Sequence, residues 1–279
     1  MSLKIGIVGM PNAGKSTLFK ALTKIEVEIA NYPFTTIKPN VGILPVPDER
    51  FEKIVELIKP ASYFPAIIEI YDIAGLIKGA HKGEGLGNEF LSYIYEVDAI
   101  LFLLNCFGVD GDPKEALEIL KEELNNKDKT LAEKPNFVAC NIRSGKENAG
   151  KDICELTIDA KLELEMNDMS KEDIAELELK SQLPLLIQRA YKTLSLITFY
   201  TIKGGKETRA WAIPSGTIAP EAGGVVHTDF KEKFIKAEVI EANKLVESDG
   251  WKKARELGWV KTEGKEYIVK DGDVVEFKI

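Results

Sequence analysis

Cysteine and histidine are scarce in this chain, with three and two among 279 residues. The cysteines, Cys106, Cys140 and Cys154, are odd in number and nowhere form C-x-x-C. Their spacing therefore offers neither a zinc site nor a disulfide set, and they are expected as reduced thiols of an intracellular protein. Cys106 and Cys140 lie in apolar runs, where a small buried side chain is the expected role. A secretory signal and a run long enough to span a membrane are also lacking, which points to the cytoplasm and away from a membrane. Nor is there a surplus of positive charge. The formal net charge is −8, which argues against a generally basic nucleic-acid binder and against specific DNA as partner. The acidic excess falls wholly within residues 1–195, while residues 196–279 are balanced. Internal repeats and low-complexity tracts are absent as well. What remains is a chain that is 44% hydrophobic, long enough for one large or two modest domains with real cores.

The chain is organised around Lys4–Thr17, KIGIVGMPNAGKST. An apolar run, Ile5–Val8, ends at Gly9, and Gly9, Gly14, Lys15 and Ser16 satisfy G-x-x-x-x-G-K-[ST] without a mismatch. A short buried strand delivers the chain to a loop whose glycines let backbone N–H groups turn inward around phosphate oxygens. The following helix points its N-terminal dipole at the same anion. Lys15 can then reach the β- and γ-phosphates, and the Ser16 hydroxyl can hold Mg²⁺. In the nucleotide-free protein Lys15 is expected to be exposed.

Downstream, Pro33 and Pro39 exclude a helix from Asn31–Gly42, which reads as a loop offering Thr35 or Thr36 to a nucleotide-bound metal; β-propensity in an exposed strand is the plainer role for the two threonines. The apolar run Ala66–Tyr71 ends at Asp72-Ile73-Ala74-Gly75. A carboxylate at the carboxyl end of a strand beside the phosphate loop can bind Mg²⁺ through water, and Gly75 can bring a backbone N–H to the γ-phosphate. Four glycines in Leu76–Asn88 signal a mobile loop, and His81 on it either positions water or is simply solvated. Helices are expected over Leu18–Ile25, Glu52–Ile58, Phe90–Tyr95, Lys114–Leu124 and 171–193, and further strands over Ala99–Cys106, Asn136–Asn141 and Ile153–Ile158. This alternation predicts an α/β fold, a P-loop NTPase domain with a mainly parallel sheet, over residues 1–195. Asn141-Ile142-Arg143-Ser144 stands where guanine-specific proteins carry N-K-x-D, so the carboxylate that reads guanine is missing. From residue 196 short strand candidates divided by glycine turns predict a second, mainly β domain, residues 196–279: Thr198–Thr201, Thr208–Ile213, Lys236–Ile240, Tyr267–Val269 and Val274–Phe277.

Together GMPNAGKST, NYPFTTIKPNVG, DIAGLIKGAHKGEGLGNEFL and the C-terminal RAWAIPSGTIAPEAGGVVHTDFKEKFIKAEVI resemble the YchF family of Obg-like nucleotide hydrolases over most of the chain. The resemblance implies that the C-terminal domain is a small β-grasp-like TGS domain. It implies a slow, Mg²⁺-dependent ATPase, with GTP the weaker ligand, that is a cytoplasmic monomer associating with the ribosome at its large subunit. By match to the family motifs, Asn12, Ala13, Gly14, Lys15, Ser16 and Thr17, with Asn141 and the backbone of Ile142, would bind nucleotide. Ser16 and Thr36 would be the metal-linked hydroxyls, and Lys15, Thr36, Asp72 and Gly75 the catalytic set. Asn12 matches an asparagine that accompanies K⁺ in potassium-dependent relatives. The chain departs from the family at Ser144, where an acid is usual. It has one expected helix in place of a long helical hairpin between the strands at 99–106 and 136–141. It also has no histidine just after Cys106-Phe107, and Leu76 stands where Ras-type enzymes place a glutamine. A nucleotide-gated binding module with negligible turnover and an Obg-type GTPase are the alternative functions.

Overall fold

Strands that bury both faces need unbroken apolar runs, and the long runs of the N-terminal half supply them. In the computed structural model, which describes residues 3–24, 40–73, 93–107, 112–143, 150 and 152–279 (without the side chains of residues 127 and 132), they form one six-stranded sheet. Its strands are β1 (Leu3–Val8), β2 (Val41–Pro45), β4 (Ile67–Asp72), β5 (Ala99–Asn105), β6 (Asn136–Asn141) and β7 (Leu156–Ile158), in the order β2-β4-β1-β5-β6-β7. The pairings β4-β1, β1-β5, β5-β6 and β6-β7 are all parallel. Ile5, Ile7, Ile70, Leu101, Phe137 and Cys140 have almost no exposure. Each large aliphatic or aromatic side chain so buried contributes roughly 1.5–3 kcal/mol, so the central strands hold the strand ends firmly.

Helix α1 (Lys15–Thr23) follows β1, and α3 (Pro113–Lys127) with the short α4 (Lys129–Ala132) joins β5 to β6. Two helices thus occupy the interval where one was expected. The break is made by Asp128, which ends α3 in an extended conformation and caps α4 by accepting from the Thr130 N–H. The continuous helix expected over 171–193 is likewise two, α6 (Lys171–Glu176) and α7 (Leu183–Thr193), preceded by α5 (Ala160–Met166). Glu178 between them has φ 51°, which no α-helix tolerates, and Pro184 opens α7.

The chain divides into two compact units, one of Leu3–Leu44 and Ile68–Leu194, the other of Pro45–Ile67 with Ser195–Ile279. The second unit therefore includes a segment far upstream of residue 196. That segment carries α2 (Glu49–Ile58) and β3 (Ser62–Phe64). Its second sheet runs β11 (Lys261–Glu263), β10 (Lys236–Glu241), β12 (Asp273–Lys278), β8 (Leu196–Lys203), β9 (Glu207–Pro214), β3. The β8–β9 hairpin is antiparallel, β12 lies parallel to β8, and β3 adds parallel to β9. Helices α8 (Ala219–Val226), α9 (Thr228–Glu232), α10 (Ala242–Glu247) and α11 (Trp251–Glu256) complete this β-grasp-like unit. Its core gathers Phe199, Phe234, Val275 and Phe277. Tyr267–Val269 is not a strand; only Ile268 bridges, to Ile218.

The cysteines depart from the expectation of three independent thiols. Cys140 and Cys154 are joined as a disulfide, and Cys106 is free and buried beside them. Parallel pairing sets β6 beside β5, and the turn at Gly150 returns Cys154 to β6, a convergence that linear spacing does not reveal. Among the described residues no helix is long and apolar enough to cross a membrane.

Candidate nucleotide site

The site is built on the carboxyl ends of β1, β4 and β6. The turn after β1 folds back through a hydrogen bond from the Ala13 N–H to the Met10 carbonyl, 3.2 Å. Asn12 and Gly14 take left-handed conformations, with φ 61° and 95°. Gly14 is required twice over, since a Cβ there would also lie 2.1 Å from Nδ2 of Asn141. A Cβ on Gly9 would meet the Leu103 carbonyl oxygen at 2.4 Å. The two glycines of the motif thus serve close backbone approach.

Lys15 is buried, not exposed. Its Nζ donates to the carbonyls of Gly9 at 3.0 Å and Met10 at 3.1 Å, closing the loop on itself. Burial lowers its pKa, and the nearby Asp72 carboxylate partly offsets that. Beside it, at the first turn of α1, the Ser16 hydroxyl donates to Oδ2 of Asp72, 2.9 Å away. The parallel register of β1 and β4 sets Ile7 opposite Asp72, which brings residues separated by 56 positions together. A hydroxyl and a carboxylate are the hard oxygen donors that Mg²⁺ takes, so this pair fits that ion.

Asn141, at the end of β6, is almost fully buried and braces the loop. Its Nδ2 donates to the Ala13 carbonyl at 2.9 Å, and its Oδ1 accepts from the Ala160 N–H at 3.1 Å. One amide therefore links the phosphate loop to the start of α5, which Asp159 caps by accepting from the N–H groups of Lys161 and Leu162. Asn141 thus uses its side chain inside the protein, a bracing role that sequence reasoning missed and that a buried amide at a strand end could have signalled. The Ile142 side chain is buried and its N–H donates to the Ile158 carbonyl at 2.9 Å. Thr17 is half-buried in α1. Asn12 and Met10 face a groove of about 330 Å³ lined also by Asn105, Asp112 and Glu115. The structure therefore brings together Asn12, Ala13, Gly14, Lys15, Ser16, Asp72 and Asn141. Thr35, Thr36, Gly75, Leu76, His81 and Ser144 lie outside the described residues, as does most of the Asn31–Gly42 and Leu76–Asn88 loops.

Two family sequence models match: "50S ribosome-binding GTPase" over residues 4–142, and YchF-GTPase_C, "Protein of unknown function (DUF933)", over residues 196–279. The protein named "Ribosome-binding ATPase YchF" from Bacillus subtilis (strain 168) is 36% identical over 364 aligned positions, covering 100% of this chain and 99% of that protein. The chain belongs to the YchF family. The protein of the same name from Escherichia coli O157:H7 is 35% identical, covering 99% of each chain. The solved structure of the Schizosaccharomyces pombe YchF GTPase superposes with a TM-score of 0.86 at 30% identity, covering 99% of this chain and 98% of that one. The first alignment spans 364 positions against 279 residues here, so that YchF relative carries sequence this chain lacks.

Proposed function

We propose that this chain is a Mg²⁺-dependent P-loop nucleotide hydrolase, an ATPase that uses GTP less well and acts as a slow, ribosome-associated switch in the cytoplasm. The observation that carries the reading is the Ser16–Asp72 pair set beside a phosphate loop closed by Lys15. The names of the Bacillus subtilis and Escherichia coli relatives, ribosome-binding ATPases, support the ribosome and the choice of ATP. A contact with the large subunit and a monomeric state belong to the same proposal.

The residues divide the work. Lys15 exchanges two loop carbonyls for phosphate oxygens and compensates their charge. The N-terminal turn of α1, unblocked by any side-chain cap, offers its free N–H groups to the same anion. Ser16 and Thr36, with Asp72 through water, would hold Mg²⁺, which would supply further charge compensation at the phosphates. Gly75 lends a backbone N–H to charge on the γ-phosphoryl, and Asn12 is the K⁺-linked position. The Ile142 carbonyl suits the exocyclic amino group of adenine, a donor, whereas guanine presents a carbonyl oxygen there. Calorimetry of ATP and GTP in Mg²⁺ and K⁺ tests the choice of base: tighter ATP binding is expected, and a tenfold preference for GTP overturns it.

Leu76 in the glutamine position and the lack of a histidine after Phe107 favour a second reading, a nucleotide-gated binding module with negligible turnover. Single-turnover hydrolysis with and without ribosomes separates the two. Measurable cleavage that ribosomes accelerate supports the hydrolase, and none in either condition supports the module.

A further inference from the structure

All three cysteines of the chain converge where β6 enters the nucleotide site. Cys106 follows β5, Cys140 lies within β6 and Cys154 precedes β7, yet their sulfurs lie within 4.8 Å of one another. Cys140 and Cys154 are joined, with Cα atoms 5.6 Å apart, a separation within the range natural disulfides span. The sulfur of the free Cys106 stands 2.9 Å from that of Cys140. The approach requires a glycine at position 150. Its φ is +76°, and a Cβ there would fall 2.2 Å from the Cys140 sulfur and 3.0 Å from that of Cys106. The Gly150 carbonyl accepts from the N–H groups of Ile153 and Cys154, which is the turn that swings Cys154 onto the strand.

The position of the bond gives it a consequence. It closes a loop with a sequence separation of 14, and the first two residues inside that loop are Asn141 and Ile142. Asn141 holds the Ala13 carbonyl of the phosphate loop, and its own carbonyl accepts from the Cys106 N–H at 2.8 Å. The cysteine cluster and the nucleotide site thus share one strand end.

We propose that Cys140 and Cys154 form a reversible disulfide through which a peroxide sets the affinity of the nucleotide site. The coupling rests on the nucleotide reading above; the disulfide does not. Cys154 is half-buried while Cys140 is fully enclosed, so the oxidant meets Cys154 first. The Cys154 thiolate attacks the peroxide, the O–O bond breaks, and a sulfenic acid and water result. The Cys140 sulfur then attacks the Cys154 sulfur, the S–S bond forms, the S–O bond breaks and a second water leaves. Two thiols and one hydrogen peroxide become one disulfide and two waters. An external dithiol reverses the change and is itself oxidised to a disulfide. Cys106 stays the free thiol, because Cys140 takes Cys154 as its partner, and burial pushes the Cys106 pKa up to about 11. The bond ties the end of β6 at Cys140, and with it the adjacent Asn141 that braces the phosphate loop through the Ala13 carbonyl, so the oxidised protein binds more tightly.

The test uses the full chain, reduced with dithiothreitol or oxidised with hydrogen peroxide, then alkylated and mapped by peptide mass spectrometry. A non-hydrolysable ATP analogue is titrated into each form. The expected result is a Cys140–Cys154 cross-linked peptide in the oxidised form only, with affinity at least threefold tighter. Cys154→Ala and Cys154→Ser are expected to bind as the reduced wild type does and to ignore the oxidant. Mapping that finds no Cys140–Cys154 peptide overturns the disulfide. Equal affinity in both forms, with the peptide present, overturns the coupling. A stoichiometric thiophilic metal in the reduced protein, released by a mercurial, assigns the cluster to metal binding and overturns the proposal. If neither form binds the analogue, the nucleotide reading fails and the coupling falls with it, while the mapped disulfide stands.

Discussion

Lys15 shows most directly how a residue's chemistry is set by its surroundings. A lysine with nine-tenths of its surface covered is tolerable because two carbonyls accept hydrogen bonds from its ammonium group and the Asp72 carboxylate lies near. Lys15→Ala leaves those carbonyls facing the loop and removes the charge that meets the phosphates. We expect ATP affinity to fall about 10- to 100-fold, the equivalent of roughly 1.5–3 kcal/mol for a charge-assisted contact, with the far-ultraviolet circular dichroism unchanged. Unaltered affinity in calorimetry would refute the assignment of the loop. Burial also makes the site sensitive to alkaline pH. The pKa of Lys15 is lowered in the free protein, and a bound phosphate favours the charged form and raises it. Affinity is therefore full below the free-protein pKa and declines as pH rises through it. Titrations in buffers of different ionisation enthalpy should show proton uptake on binding in that alkaline window. Binding that is flat with pH and takes up no proton would mean that Lys15 does not titrate between the two states.

At the scale of the element, α2 shows what a cap can hold. Asp48 accepts from the Arg50 N–H at 3.0 Å, and its carboxylate also receives the Arg50 guanidinium and the hydroxyl of Tyr200, the latter at 2.5 Å. Arg50 in turn donates to Asp271, 2.7 Å, and Asp271 accepts from the Thr198 N–H. One capping carboxylate thus joins α2 to β8 within the second unit. Asp48→Ala removes a cap worth about 1 kcal/mol and strands the hydroxyl of an otherwise buried tyrosine, for about 1–3 kcal/mol more. Urea unfolding should report a loss of about 2–4 kcal/mol, and a change under 0.5 kcal/mol, of the order of an ordinary surface substitution, would show the network to be idle. Burial would raise the Asp48 pKa, but the hydrogen bonds from Arg50 and Tyr200 outweigh it and leave the carboxyl below its usual range. That contribution is complete above the unfolded value of about 3.9 and is lost as pH falls through the folded one. Asp48→Asn should flatten this acid limb of the stability curve.

For the whole molecule, base choice and ion choice are the open quantities. Ser144→Asp supplies the carboxylate that guanine recognition uses, so GTP should gain on ATP by about 10-fold or more. No gain would mean that the base is read elsewhere, for instance near Asp159–Lys161. The change is best made alone. A lysine at position 142, which would complete N-K-x-D, would enter a buried apolar cluster with Cys106, Val138 and Cys140. Potassium is argued from Asn12, which stands at φ 61° on the loop beside the Lys15 carbonyl clasp. Hydrolysis should be faster in KCl than in NaCl at equal ionic strength. Equal rates, or a potassium effect that survives Asn12→Ala, would remove K⁺ from the site.

The linear order of residues was enough to settle the parts that rest on local chemistry. The phosphate loop was legible because Gly9, Gly14, Lys15 and Ser16 stand at fixed spacing, and the parallel sheet because its strands are short unbroken apolar runs. The placement of Asp72 at a strand end was legible because it closes such a run. Tertiary structure decided what depends on residues distant in sequence. Lys15 is buried because its own loop folds over it, and Asn141 became a brace because β6 ends beside that loop. Residues 45–67 belong with the C-terminal unit because β3 completes the β9 edge and Asp48 meets Tyr200, contacts that no local pattern specifies. The cysteines have uninformative spacing along the chain. Only parallel strand pairing and one left-handed glycine bring their sulfurs together.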